Sequence, residues 1–375
     1  MNNPPQHPSA TIEDVAALRQ QMGDIFVVDS YTLDRPEKGF ILFRGQFLSD
    51  LTDSFDRLHS RFESVGFTPM VRKQEGAVVL IAMPIVFEPT PSNWYINLGL
   101  FIATFVTTLF IGALSEMGAQ EIQRQFTAAD LLLGLPYCLS LMLILGAHEL
   151  GHYFAARHHN VPVTLPYFIP FPLPPIGTMG AFIQLKSPVK NRRALFDVGA
   201  AGPLAGLVFA IPILIYGLWI SPIEPLPNIT YMLEGNSVLY ALAKVLVFGQ
   251  FYPTATQDVF LSSFAWAGWV GLLVTGLNLL PVGQLDGGHV SYVLFGGRAR
   301  AFFWPVIIGL ITLTLLTGTT TWLIWVGLLF VFGRRHAEPL DGVTELDPKR
   351  KALAIFTLLL FFLVFVPIPL QVINP

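Results

Sequence analysis

Residues 135–152 read Leu135-Pro136-Tyr137-Cys138-Leu139-Ser140-Leu141-Met142-Leu143-Ile144-Leu145-Gly146-Ala147-His148-Glu149-Leu150-Gly151-His152. They lie in an apolar run over about 130–156, long enough as a helix to cross a ~30 Å hydrocarbon core at ~1.5 Å per residue. Three ionisable side chains close that run, and each charged group there costs roughly 2.5–3.5 kcal/mol to insert. Such a cost requires a compensating partner. The two imidazoles stand at i and i+4, on one helical face, where both can reach a single Zn²⁺. Glu149 is then placed as general base beside water whose pKa a catalytic zinc lowers to roughly 7, the arrangement needed for amide hydrolysis. The plainer alternative is a hydrogen-bonded polar trio inside a helix bundle.

The rest of the chain is consistent with a bilayer as solvent. Of 375 residues, 53% are hydrophobic and 13% charged, with a mean hydropathy of +0.58, too apolar for a soluble enzyme of this length. The net charge of -3 offers no electrostatic handle to nucleic acid. A single cysteine, Cys138, excludes an internal disulfide and reads as core packing. The N-terminus has no basic stretch followed by an apolar one, so the mature chain is expected to start near Met1.

Residues 1–90 hold 8 of the 22 Lys+Arg and carry soluble-domain periodicities. Thr11 with Asp14 predicts a capped helix to about Met22, and Leu51, Phe55, Leu58 and Phe62 mark one face of a second helix over 49–65. Strands are expected at 25–29, 40–43, 68–72 and 77–86, the last two joined by a turn through Glu75. This predicts a small cytosolic α+β domain over 1–90. A transmembrane domain follows over 91–375, with its core at 130–295.

Apolar runs at about 94–115, 130–156, 197–220, 258–281, 301–316, 319–333 and 351–367 predict a polytopic, all-α bundle of about six to seven transmembrane helices. The fifth and sixth are short and read as a tight or re-entrant pair. The segment 238–251 contains Lys244 and Gln250 and reads as interfacial. With a cytosolic N-terminus, the inner loops carry twelve Lys and Arg, Arg335 among them. The outer loops carry only Arg124 and Lys244, so the orientation is N-in and C-out. Trp94, Trp219, Trp304 and Trp322 fall near span ends as interfacial anchors would.

Zinc needs a third protein ligand, and no acidic residue lies between Glu149 and Asp197. Asp197 is one candidate, although an acid opening a helix has a capping role of its own. Asp286 is the stronger, in Asn278-Leu279-Leu280-Pro281-Val282-Gly283-Gln284-Leu285-Asp286-Gly287-Gly288, where the proline and glycines allow the fourth span to unwind and turn a carboxylate inward. Irregular backbone at membrane depth is tolerated where it lines a wet cavity. His158 has the spacing of a third metzincin ligand but lacks the preceding turn glycine, and is read with His159 as interfacial. His148 lies ~12 Å from the cytosolic end of its span and Asp286 at the cytosolic end of its own, so both fall toward the cytosolic side.

Between the histidine helix and the third span, five prolines over 164–175 forbid a helix. Gly180 to Leu185 can be extended, and Gly180 and Ala181 are read as part of an edge strand that pairs with an unwound substrate backbone by strand addition. The alternative is a hairpin that only shields the site. Together with the spans, this predicts a re-entrant extended hairpin.

The HELGH helix, Gly202-Pro203-Leu204-Ala205-Gly206 and the Asn278 to Gly288 segment resemble the site-2 protease family of intramembrane zinc metalloproteases. The resemblance covers most of 130–295. It implies zinc ligation by His148, His152 and Asp286, Glu149 as base, Asn278 as a substrate-contacting or positioning group, and cleavage of transmembrane segments of membrane-protein substrates. No inserted PDZ-like domain is visible. The N-terminal domain and extra C-terminal span look like the cyanobacterial and chloroplast members, so the membrane is expected to be a bacterial plasma membrane or a thylakoid. Partners are transmembrane protein substrates and membrane lipid, and the residues carry no signature of an oligomeric state. Hydrolysis of a lipid or small substrate on the same scaffold, or an inactive chaperone-like relative, are the competing readings; retention of Glu149 argues against the last.

Overall fold

The computed structural model describes residues 8–74, 76–120, 124–227, 230–334 and 338–373; the start of the chain, Glu75 and Arg335 lie outside them. The chain divides into two compact units.

The first unit comprises residues 1–90 with the segments 186–195 and 338–347. Helix α1 (Ile12–Met22) starts at a capping box, in which the Thr11 hydroxyl accepts the Asp14 N–H and the Asp14 carboxylate accepts the Thr11 N–H. Strands β1 (Phe26–Leu33) and β2 (Ile41–Phe47), helix α2 (Leu51–Glu63), and strands β3 (Thr68–Gln74) and β4 (Ala77–Met83) follow. The antiparallel sheet has the order β1-β2-β4-β3. Val15, Leu18 and Met22 of α1 and Phe55, Leu58 and Phe62 of α2 are buried in one core with Ile41, Phe43 and Leu80 of the sheet.

A sequence reading that leaves everything after residue 91 with the membrane part misses the other edge of this sheet. The Val71 N–H donates to Leu340 O at 2.8 Å and the Gly342 N–H to Val71 O at 3.1 Å, in parallel register. Leu340 and Asp341 in turn donate to Val189 O and Lys190 O. Two short distant segments thus cover the open edge of β3. Arg72 secures them, its guanidinium donating to Pro339 O at 2.8 Å and Leu340 O at 3.0 Å and pairing with Glu338 at 3.3 Å. Arg72→Ala is expected to cost the unit about 1–3 kcal/mol, because buried carbonyls lose their donor. Faster amide hydrogen exchange at Leu340 and Gly342, with Leu80 unaffected, is the expected readout.

The second unit comprises 91–185, 196–337 and 348–375. It runs through α3 (Trp94–Ala119), α4 (Leu135–His158), β5 (Tyr167–Pro170), β6 (Thr178–Phe182), α5 (Arg192–Trp219), β7 (Ile223–Pro225), β8 (Tyr231–Glu234) and α6 (Val238–Phe248). It continues with β9 (Gln257–Val259), α7 (Ser263–Asn278), α8 (Asp286–Phe295), α9 (Phe303–Thr317), α10 (Thr321–Phe332), α11 (Pro348–Val364) and β10 (Leu370–Ile373). The strands form three two-stranded sheets, β5-β6, β7-β9 and β8-β10. Among the described residues, four helical segments are long and apolar enough to cross a membrane: 94–118, 128–158, 192–219 and 286–317. The outward faces of α3 and α9 are apolar, with Ile102 52%, Val106 55% and Leu315 79% exposed, a surface that only lipid satisfies. The chain is an integral membrane protein, mostly helical with small sheets.

Lys244, in the segment read as interfacial, is fully buried within the protein, bonded to Glu234 Oε1 at 2.9 Å, and the Tyr240 hydroxyl donates to the same oxygen at 2.8 Å. Tertiary packing supplies a partner from ten residues upstream, which hydropathy along the chain does not reveal.

Candidate metal centre

On α4, His148, Glu149 and His152 are all buried, at 3%, 5% and 6% exposure. The i and i+4 imidazoles stand on one face, and Asp286 meets both. Its two carboxylate oxygens lie 3.2 Å from His148 Nε2 and 3.3 Å from His152 Nε2. One ligand atom from each of the three residues lies within 4.8 Å of the others. Metal–ligand bonds of about 2.0–2.2 Å in a tetrahedron separate donors by roughly 3.3–3.6 Å, so the spacing suits one ion. Two imidazoles and a carboxylate also form a donor set of catalytic zinc, leaving a fourth position for water or substrate.

The break between α7 and α8 delivers Asp286. Helix α7 ends at Asn278, residues 279–285 are non-helical, and Asp286 is the first residue of α8. The returning loop lies against the first turn of α8 so closely that a Cβ on Gly287 would stand 2.0 Å from Leu279 O. Only glycine fits that approach.

Helix α5 orients the imidazoles. The His152 Nδ1–H donates to Val198 O at 2.6 Å, which leaves Nε2 as the nitrogen facing Asp286. Gly202 lies directly beneath the same ring: a Cβ there would stand 2.0 Å from His152 Nε2, and one on Gly206 3.2 Å from His148 Nδ1. The glycine-containing stretch of α5 is therefore a surface of small residues that admits the two imidazole rings. The Asn278 amide nitrogen is 3.3 Å from His148 Nε2, at the rim of the donor triangle.

Asp197 is elsewhere. Both its oxygens are engaged, by Arg350 at 2.7 and 2.8 Å and by His159 Nε2 at 2.8 Å. Its role is to join the starts of α5 and α11 to the end of α4. His158 is exposed and packs edge-on against His159, outside the donor group.

Gly180 and Ala181 lie in β6, which pairs antiparallel with β5 in the register Tyr167↔Phe182 and Phe168↔Ala181. Extended structure thus starts earlier than the expected 180–185 and has a hairpin partner. Ala181, Phe182 and Ile183 border a cavity of ≈ 200 Å³ with His148, Glu149, His152, Asn278 and Asp286.

Residues 136–316 match Peptidase family M50. Over this segment the chain is similar to Peptidase family M50. Its relatives include the protein named "Probable zinc metalloprotease EGY2, chloroplastic" of Arabidopsis thaliana, 28% identical over 92% of this chain and 64% of that one. Another is "Probable zinc metalloprotease EGY1, chloroplastic" of the same plant, 31% identical over 76% of this chain and 55% of that one. A third is "Probable zinc metalloprotease EGY3, chloroplastic" of Oryza sativa subsp. indica, 26% identical over 77% and 51%. The chain spans between about half and two thirds of the length of these relatives. No solved structure matches it.

The M50 segment holds His148, Glu149, His152, Asn278 and Asp286 alike. Val198 escaped the sequence reading because its contribution is a main-chain carbonyl, which no residue type announces. The spacing of Gly199, Gly202 and Gly206 was a usable signal for close helix approach.

Proposed function

We propose that this chain is an intramembrane zinc endopeptidase that cuts transmembrane segments of membrane-protein substrates. The observation that carries the reading is the convergence of His148 Nε2, His152 Nε2 and the Asp286 carboxylate beside buried Glu149, in a helix able to cross a membrane. The names of the chloroplastic relatives support zinc as the metal and favour a photosynthetic membrane. His148, His152 and Asp286 would hold the ion, which supplies a Lewis acid that makes water acidic and polarises the scissile carbonyl.

Glu149 takes a proton from water as the water oxygen joins the carbonyl carbon. As the C–N bond breaks, Glu149 passes that proton to the leaving nitrogen, so its carboxylate is regenerated. Asn278 at the rim positions the substrate carbonyl. A transmembrane helix must first unwind locally, and β6, through Gly180 and Ala181, is the edge on which the unwound backbone is held by strand addition. The remaining helices complete a bundle of six to seven crossings, with the β5-β6 hairpin at membrane depth. The excess of Lys and Arg in alternate loops supports a cytosolic N-terminus and a site toward that side.

Purified protein is expected to bind one zinc and cut a transmembrane peptide, with activity lost to a chelator and restored by zinc. Asp286→Ala should weaken zinc binding by roughly 100-fold or more, beyond the 10–100-fold typical of a supporting residue. Asp197→Ala should leave zinc content unchanged. Zinc lost from the second variant and kept by the first would refute the ligand set.

A further inference from the structure

A second cavity, of ≈ 310 Å³, adjoins the metal centre and shares Ala181 and Asn278 with it. Strand β6 connects the two: Thr178 to Ala181 border the second cavity, and Ala181 to Ile183 the first. Among the described residues, none that lines the larger cavity is charged. On one side are Leu145, three residues before His148, and Val270, Leu273, Val274 and Leu277, which share one face of α7 at i, i+3, i+4 and i+7. Trp325 of α10 and Leu370 of β10 line it as well. That wall is fixed in place, since the Trp322 indole N–H donates to Pro367 O at 2.7 Å and β10 pairs with β8.

We propose that this cavity receives one large apolar side chain of the unwound substrate and so selects which peptide bond is cut. The inference rests on the proteolytic reading above and names a specificity site for it. Continuity decides the occupant. A backbone held along β6 advances about 3.3 Å per residue, so a side chain in the apolar cavity belongs to a residue within about two positions of the bond at Glu149. Size agrees: an apolar cavity of about 150 Å³ already accepts benzene, and this one has room for an aromatic side chain. Composition agrees too, because apolar walls with two or three polar groups are the usual make-up of a ligand pocket. Trp325 and Leu370 lie beyond the family segment 136–316.

The test uses the full zinc-loaded chain in lipid nanodiscs and a series of transmembrane peptides. Each position near the cut carries Ala, Leu, Phe or Lys in turn, and products are located by mass spectrometry. The wild type should favour Leu or Phe over Ala by about tenfold or more at one fixed offset from the cut bond, and reject Lys there. Val274→Phe, which fills the cavity, should reverse that preference toward Ala. Trp325→Ala, which enlarges it from a half-buried position, should raise Phe relative to Leu and keeps the inference testable if the first variant does not fold. Indifference of the wild type at every position, or unchanged preference in a folded variant, overturns the inference. So does a lipid acyl chain that co-purifies in the cavity and is not displaced by peptide. Zinc-loaded wild type that cuts no peptide overturns the proteolytic reading itself, a result distinct from cutting without preference.

Discussion

Glu149→Gln is expected to retain zinc at the wild-type stoichiometry and to cut a transmembrane peptide roughly 10²–10⁴-fold more slowly. That is the range over which a positioned general base acts. The substitution is nearly isosteric. Glu149 is not in the three-residue donor group, so the donors are left as they are. What disappears is a group able to take the proton from water and return it to the leaving nitrogen. Zinc per chain and single-turnover rate, measured on one preparation, separate the outcomes. Undiminished cleavage would remove Glu149 from the mechanism, whereas parallel loss of zinc would make its role structural.

Gly202→Ala, a change of one methyl group, is expected to abolish tight zinc binding and cleavage together. The new Cβ would stand 2.0 Å from His152 Nε2 and 2.4 Å from two further ring atoms. The ring has little freedom to yield, because its Nδ1 is bonded to Val198 O on the same helix. Either His152 turns its ligand nitrogen away from Asp286 or α5 separates from α4, at the cost of packing between two buried faces. Zinc affinity should fall at least about 10–100-fold, the effect of disturbing the groups that orient a ligand. Gly206→Ala should be milder, since its Cβ would meet His148 Nδ1 at 3.2 Å. Gly146→Ala faces open space and serves as the neutral control. Wild-type zinc affinity in Gly202→Ala would show that α5 does not set the ring position.

Local patterns made several features legible in the linear chain. Imidazoles at i and i+4 share a face in any α-helix, so the spacing of His148 and His152 already implied convergence. A capping box and alternating strands are equally local, which is why the elements of the N-terminal unit could be placed from Thr11 and Asp14 onward. Apolar runs of spanning length mark the solvent as a bilayer, since each buried charge would otherwise be costly.

Contacts between remote segments were decided only by the tertiary structure. Asp197 lies in the second turn of α5, and Asp286 is the first residue of α8. Arg350 and His159 occupy the first and two imidazoles meet the second; the proline and glycines before Asp286 favoured it in the linear chain, whereas the partners of Asp197 were not visible there. The edge of β3 is covered through main-chain hydrogen bonds to Leu340 and Gly342, which any residue type could make. For Lys244, hydropathy placed a charge near an interface, and folding buried it against Glu234. Periodicity carries what one helix or strand does with its own neighbours. The meeting of the Asp286 carboxylate with both imidazoles, the carbonyl that holds His152 and the apolar cavity beside the site depend on which elements pack together in three dimensions.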